Sequence, residues 1–409
     1  MTNKTPAAPL VAIACGGTGG HIFPGLAVAG CLRDCGCDVV ALISLKKIDQ
    51  EATRAARGVA IETLPAVGLS GRNYLQFIAG FWRAYRLAKL RFAQRPPQGV
   101  LAMGGFTSAP PIHAGRKFGA ALFLHESNTI PGRANRWLAR FVHQAFVGFP
   151  SAANRLKNVQ VRHTGTPVRP QFKPMDAGWA RAQLGLREDA PVLLVMGGSQ
   201  GAHAVNELVR AALPLLSSKL GGWQFMHLTG EQDEQAVRTA YAALGLHAVV
   251  HAFYDRMELA LGAATVAISR AGASSLAEIA AMRLPAILIP LPTAADNHQW
   301  HNARAFSEAG AAVLLEQNAA TPENLWQALE PIAREPEARA RMADAVSRWH
   351  KPQAASEIAG HILNLMRNMH GHKFDFGRLH IPENAGCESG GLTDELPRNQ
   401  KLQTQLVAP

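Results

Sequence analysis

Five short segments of this sequence carry residue types that could do chemistry at a phosphate. Gly16-Gly17-Thr18-Gly19-Gly20-His21 and Gly197-Gly198-Ser199-Gln200-Gly201-Ala202-His203 each follow an apolar run, 10–14 and 192–196. A strand, a glycine-rich turn and a helix start aim several backbone N–H groups at one point, where the helix dipole also favours negative charge. A tight turn with no ligand selects glycine too, so one such loop alone leaves both readings open. The other segments are His125-Glu126-Ser127-Asn128, the stretch Gly165-Thr166-Pro167-Val168-Arg169, and residues 269–278, which join a strand end, a small-residue turn and a helix with one acid, Glu278. Two common guests do not fit. Neither loop ends in the Gly-Lys-Ser/Thr of a P-loop. A dinucleotide fingerprint from Gly17 would need glycine where Ile22 stands, and the second strand runs into Ser44-Leu45-Lys46 without a ribose-binding acid.

These segments need elements to position them. Helical patterns are expected over about 24–33 and 205–216, after the two loops, whose Gly-Gly pairs at 16 and 197 announce two similar α/β units. Strand-like runs at 38–43, 99–103, 121–124, 144–147, 224–228, 248–252, 266–269 and 286–290 alternate with helical stretches, which argues for parallel sheets covered on both faces. In such sheets the strand ends line a common crevice, so the polar segments could converge between the units. Thr166 to Pro170 followed by Pro174 suits a linker. The expected organisation is a first domain over 1–168, a second over 169–368 whose last helix can pack back on the first, and a disordered polar tail over 369–409.

The chain has 409 residues, 48% of them hydrophobic and 17% charged, which suits globular domains with real cores. No apolar run is long enough to span a membrane, and the run 7–15 after Lys4 is too short for an export signal. Five cysteines form no disulfide framework, and Cys31, Cys35 and Cys37 lack zinc spacing, which points to a reducing compartment. Residues 1–170 hold 21 Lys or Arg against 6 Asp or Glu, whereas 171–368 hold 16 against 19, so the first half should face something anionic. Its densest basic segment includes Arg72, Arg83 and Arg86. At helical spacing Tyr74, Phe77, Ile78, Phe81, Trp82, Tyr85 and Phe92 share one face, with Leu75 beside it. Such a helix can rest in a lipid headgroup layer or pack its aromatic face on a sheet. No nucleic-acid-binding module appears.

Taken together, the motifs closely resemble the MurG family of bacterial N-acetylglucosaminyltransferases. The matching pieces are the loop from Gly16 through Pro24-Gly25, Met103-Gly104-Gly105-Phe106, His125-Glu126 with Asn128, Thr164 to Arg169, Gly197 to Ala202, Ser269-Arg270-Ala271-Gly272 with Glu278, and Asp296-Asn297-His298-Gln299 with Asn302. They span most of residues 9–368 in order. Ser127, Thr129 and His203 depart from the Gln, Gly and Arg expected there.

The resemblance implies a GT-B fold, two Rossmann-like doubly wound parallel-sheet domains facing a cleft. It implies an inverting transfer of GlcNAc from UDP-GlcNAc to the MurNAc 4-hydroxyl of undecaprenyl-diphospho-MurNAc-pentapeptide, lipid I. Lipid II for peptidoglycan, and through it cell shape and division, would be the outcome. The implied place is the cytoplasmic face of the bacterial inner membrane, held peripherally at an anionic surface through Arg72, Tyr74, Leu75, Phe77, Ile78, Phe81, Trp82, Arg83 and Arg86, with other cell-wall proteins as further partners. Donor contacts fall on Thr18, Gly19, Gly20, Asn128, Arg169, Ser199, Gln200, Tyr254, Ala273, Ser274, Ser275, Leu276, Glu278 and Gln299. Gly16 to Gly20, that is Gly16, Gly17, Thr18, Gly19 and Gly20, would hold the acceptor diphosphate. His21 is the first candidate base, because imidazole titrates near neutrality, and Glu126 the second. No cofactor or metal is implied, and no Asp-x-Asp pair occurs. Rival readings are a GT-B enzyme with a diacylglycerol or sterol acceptor, a UDP-GlcNAc 2-epimerase of similar fold, and a protein that only binds such ligands.

Overall fold

The computed structural model describes residues 8–17, 19–46, 58–68, 73–198 and 201–371. The expected tail, apart from its first three residues, lies outside them, as do Thr18, Arg72, Ser199 and Gln200.

The first half folds around a seven-stranded sheet of β1 (Leu10–Ala14), β2 (Asp38–Ser44), β3 (Ala60–Leu64), β4 (Gly99–Ala102), β5 (Ala121–Glu126), β6 (Gln144–Val147) and β7 (Gln160–His163), in the order β3-β2-β1-β4-β5-β6-β7. The second builds six strands, β8 (Val192–Met196), β9 (Gln224–Leu228), β10 (Ala248–His251), β11 (Val266–Ser269), β12 (Ala286–Leu288) and β13 (Val313–Leu314), in the order β10-β9-β8-β11-β12-β13. Every pairing is parallel. This is why β1 and β8 read as unbroken apolar runs: both faces are covered, and all five residues of each are buried.

Eight helices position the site: α1 (Gly19–Asp34), α2 (Tyr74–Gln94), α3 (Ala109–Lys117), α4 (Arg133–Leu138), α5 (His203–Lys219), α6 (Ala273–Ala281), α7 (His298–Glu308) and α8 (Ala354–His370). The expected start of α1 near Pro24 is corrected to Gly19, since the first turns of the helix carry a proline within them. Likewise β5 runs on through His125 and Glu126, which sequence reading placed after the strand. The short strands β3, β7 and β13 escaped it. Their residues are mostly half-exposed, so no apolar run marks them.

Ile358, Ile362, Leu363 and Met366 of α8 join Val11, Ile13, Leu101 and Phe123 in a core beneath the first sheet. The last described helix therefore packs on the first unit, and the chain crosses between the units twice. Phe149 of the first unit in turn sits in the core of the second, its ring 6.1 Å from Phe306 and 5.4 Å from Trp349. The units are thus joined by packing as well as by chain.

Candidate active site

Sheet order reverses beside β1 and beside β8, and each glycine loop leaves one of these strands at that point. Such switch points open a crevice at the carboxyl ends of the strands. Gly16 is there for space: a Cβ on it would lie 2.4 Å from the Ser44 backbone nitrogen. Across the first crevice runs Met103-Gly104-Gly105-Phe106, and its glycines have φ of +105° and +76°. A Cβ on Gly104 would stand 3.0 Å from His21 Nε2 and one on Gly105 3.2 Å from Nδ1, so the Gly-Gly pair is the floor on which the His21 imidazole lies.

The end of β5 supplies the opposite wall. Glu126 is buried, and its own loop occupies its carboxylate: Asn128 N (2.9 Å) and Asn128 Nδ2 (3.0 Å) donate to Oε1, Gly132 N (2.8 Å) and Asn135 Nδ2 (2.9 Å) to Oε2. All four acceptor positions of an ionised carboxylate are taken. His125 is fully buried, and burial pulls its imidazole down to about 4. It is neutral, with Nε2 donating to the Gly165 carbonyl at 3.1 Å and Nδ1 3.3 Å from the Ser127 hydroxyl. His125 is a strut between β5 and the Gly165 segment.

Several groups cross the cleft. Arg169 lies over the rings of Phe23 in α1 (4.2 Å) and Phe172 (4.8 Å) and reaches Glu278 in α6 at 3.5 Å. Burial pushes the Glu278 carboxyl up to about 7, against the opposing pull of the Arg169 guanidinium. Ser274 Oγ donates to the Gly20 carbonyl at 2.9 Å. Arg136 Nη2 and Arg133 Nη2 stand 2.6 and 3.6 Å from the Asp296 carboxylate. Asn302, completely buried in α7, meets Asn128 and Thr129.

Among the remaining expected donor residues, Ala273, Ser274 and Ser275 form the first turn of α6, whose leading amides have no partner within the helix. Leu276 contributes no such amide, because its N–H already bonds the Gly272 carbonyl at 3.0 Å and its side chain is in the core. Gln299 Oε1 accepts from Leu291 N at 3.0 Å. Tyr254 stacks on His251 at 5.4 Å with Phe253 exposed beside it. Behind the second glycine loop, His203 donates to the Asp233 carboxylate at 2.9 Å, and Asn206 donates to Asp233 and to the Thr229 carbonyl. Sequence reading missed this clamp, and also Phe23 and Phe172 as the rings around Arg169, because nothing local in the chain marks them as neighbours.

On the first unit, α2 is buried through Gly80, Ala84, Ala88 and Phe92, a stripe of mostly small residues. The expected aromatic face is therefore divided. Phe92 is buried, Phe77, Phe81 and Tyr85 are half-buried, and Tyr74, Leu75 (84% exposed), Ile78 and Trp82 (54%) face outward with Arg83 and Arg86. Phe81 continues the patch to His113, whose ring lies 5.0 Å from both Trp137 and Phe141.

Two parallel-sheet units, each with a glycine loop at its switch point and polar groups meeting between them, define the GT-B class of fold. Residues 11–147 match the glycosyltransferase family 28 N-terminal domain and 192–358 its C-terminal domain. The chain belongs to this glycosyltransferase family. Among its relatives, the UDP-N-acetylglucosamine–N-acetylmuramyl-(pentapeptide) pyrophosphoryl-undecaprenol N-acetylglucosamine transferase of Anaeromyxobacter dehalogenans (strain 2CP-C) is 37% identical over 90% of this chain and 95% of its own. The counterpart from Acidithiobacillus ferrooxidans (strain ATCC 53993 / BNL-5-31) is 38% identical over 85% and 96%. The crystal structure of Acinetobacter baumannii MurG superposes with a TM-score of 0.68 at 27% identity, covering 88% of this chain and all of that one.

Proposed function

We propose that the protein transfers GlcNAc from UDP-GlcNAc to the MurNAc 4-hydroxyl of undecaprenyl-diphospho-MurNAc-pentapeptide, with inversion at the anomeric carbon. The observation that carries this reading is the His21 imidazole lying on the Gly104-Gly105 floor at the first switch point, across the cleft from the α6 start, in a chain whose relatives bear that activity.

In this reading the acceptor oxygen attacks C1, its proton passes to a nitrogen of His21, and the bond from C1 to the diphosphate oxygen breaks as UDP leaves. His21 suits the role because imidazole titrates near neutrality. Glu126 does not compete for it, since its lone pairs hold the 128–135 loop. Charge growing on the leaving diphosphate is met by the α6 N-terminal amides, the helix dipole and Arg169. Glu278 accepts from the ribose hydroxyls when ionised, and Gln299, its oxygen held by Leu291, offers its NH2 to the sugar. Gly16 to Gly20 offer amides to the acceptor diphosphate.

The exposed Tyr74, Leu75, Ile78 and Trp82 with Arg83 and Arg86 support a peripheral seat on an anionic bilayer, which would bring the lipid-borne acceptor to the first unit. Among the described residues no helix is long and apolar enough to cross a membrane.

The test is UDP release from UDP-GlcNAc in EDTA, with and without a short-chain lipid I analogue. Release that needs both substrates supports the reading. Release without the analogue would favour a hydrolase, and no release with both substrates present would favour a UDP-GlcNAc 2-epimerase or a protein that only binds the sugar nucleotide.

A further inference from the structure

Asn302 is completely buried and makes four hydrogen bonds to two separate segments, one in each unit. Its Oδ1 accepts from Thr129 N (3.0 Å) and Thr129 Oγ1 (2.9 Å) of the first unit. Its Nδ2 donates to Asn128 Oδ1 (3.0 Å) of the same loop and to Ala271 O (3.1 Å), one residue before the N-cap of α6. No side-chain donor or acceptor of Asn302 is left over.

The orientation of this chain of amides follows from chemistry. An ionised Glu126 only accepts, so the Asn128 side chain must turn its NH2 to Glu126 and its oxygen to the cleft. That oxygen can only accept, so Asn302 must present its NH2 to it. The Asn302 oxygen then faces Thr129, whose backbone N–H can only donate. One carboxylate in the first unit thereby fixes two amides in series, ending at the carbonyl that precedes the donor-side helix. Asp296, in the left-handed region at φ +50° just before α7, adds the Arg136 and Arg133 pairs.

We propose that Asn302 is a positioning residue for the transfer reaction: it sets the distance and angle between the Glu126–Gly132 loop and the α6 start, and so between the acceptor and donor halves of the site. The proposal rests on the transferase reading, and one arm of its test is independent of turnover.

Asn302→Ala removes all four bonds, and Asn302→Asp sets an oxygen against Asn128 Oδ1 and Ala271 O. From the other side, Thr129→Val removes only the hydroxyl bond, and Thr129→Ser restores it. Hydrogen exchange of backbone amides 127–132 should quicken about tenfold or more in both Asn302 variants as the loop loses its anchor. UDP binding by calorimetry should stay within about threefold while kcat falls about 10- to 100-fold, as expected when reacting groups are misplaced. Thr129→Val should lower kcat severalfold and Thr129→Ser should not. The double variant Asn302→Ala/Thr129→Val should be no slower than Asn302→Ala, because the second change removes a bond already lost.

Unchanged exchange at 127–132 overturns the proposal whatever the activity. So does UDP affinity falling in step with kcat, or an additive double variant. If the Asn302 variants do not fold, Thr129→Val against Thr129→Ser decides, and equal kcat and equal exchange in those two would refute it. Altered exchange in a protein with no transferase activity would instead uphold the positioning and sink the proposed reaction.

Discussion

Ser274 Oγ donates to the carbonyl oxygen of Gly20 across the cleft at 2.9 Å, and that carbonyl is open to it because the residue four positions on is Pro24. Proline has no N–H, so the i to i−4 helical bond that would occupy Gly20 O cannot form. A proline inside α1 thus gives the first glycine loop an acceptor for the second unit. Ser274→Ala should weaken the contact between the two units by about 1 kcal/mol, the net worth of one neutral hydrogen bond. Pro24→Ala returns an N–H to compete for Gly20 O, so Ser274→Ala should cost less in that background. A double-mutant cycle on KM for UDP-GlcNAc checks it, and full additivity would count against the link.

His21→Ala should lower kcat by about 10² or more while UDP still binds. Gly105→Ala should mimic part of this loss, because its φ of +76° strains a non-glycine residue and its Cβ would press on the imidazole. Turnover and calorimetric UDP affinity measured together separate a lost base from a lost site.

Glu126→Gln tests the loop role against the catalytic one. Its NH2 would face groups that already donate, leaving buried donors unpaired at a cost of about 1–3 kcal/mol. The melting temperature should therefore fall along with kcat. A base residue would lose turnover with its stability unchanged.

The Glu278 carboxyl is raised to about 7 from an ordinary value of 4.5, so the folded state binds its proton more tightly than the unfolded one. Its contribution to stability is full below about 4.5 and is lost as pH rises through about 7. Over the same upper range the group gains the charge that accepts ribose hydroxyls. KM for UDP-GlcNAc should fall from pH 6 to 8, and Glu278→Gln should flatten both that profile and the pH dependence of the melting temperature between 5 and 8.

On α2, Trp82→Ser and Leu75→Ser change exposed side chains and should leave the melting temperature nearly unaltered. Each removes about 1.5–3 kcal/mol of burial if the side chain inserts into lipid, so vesicle affinity should drop tenfold or more. Arg83→Glu and Arg86→Glu should weaken binding to anionic vesicles but not to neutral ones, with a strong salt dependence. Co-sedimentation with the two vesicle types reads the difference.

Much of the scaffold was legible because parallel strands covered on both faces must be apolar throughout. The runs at 10–14, 144–147, 192–196, 224–228 and 266–269 coincide with β1, β6, β8, β9 and β11. The edge strands β3 and β13 and the polar β7 lack that constraint, so they left no comparable mark. On α2 the packing is set by small residues that carry no comparable mark. Helical spacing groups its aromatics, but the close approach to the rest of the unit needs small residues, and Gly80, Ala84 and Ala88 provide it.

The sequence by itself determined the two glycine loops, the parallel sheets behind them and the family, since these depend on residue type and short-range spacing. Tertiary structure alone decided which polar groups meet. Asn302 is 173 residues from Thr129, Ser274 is 254 from Gly20 and Arg169 is 109 from Glu278. Hydrogen-bond donors and acceptors are generic, so a side chain's partner is set by where packing of Phe149 and α8 holds the two units, and no local pattern encodes that distance.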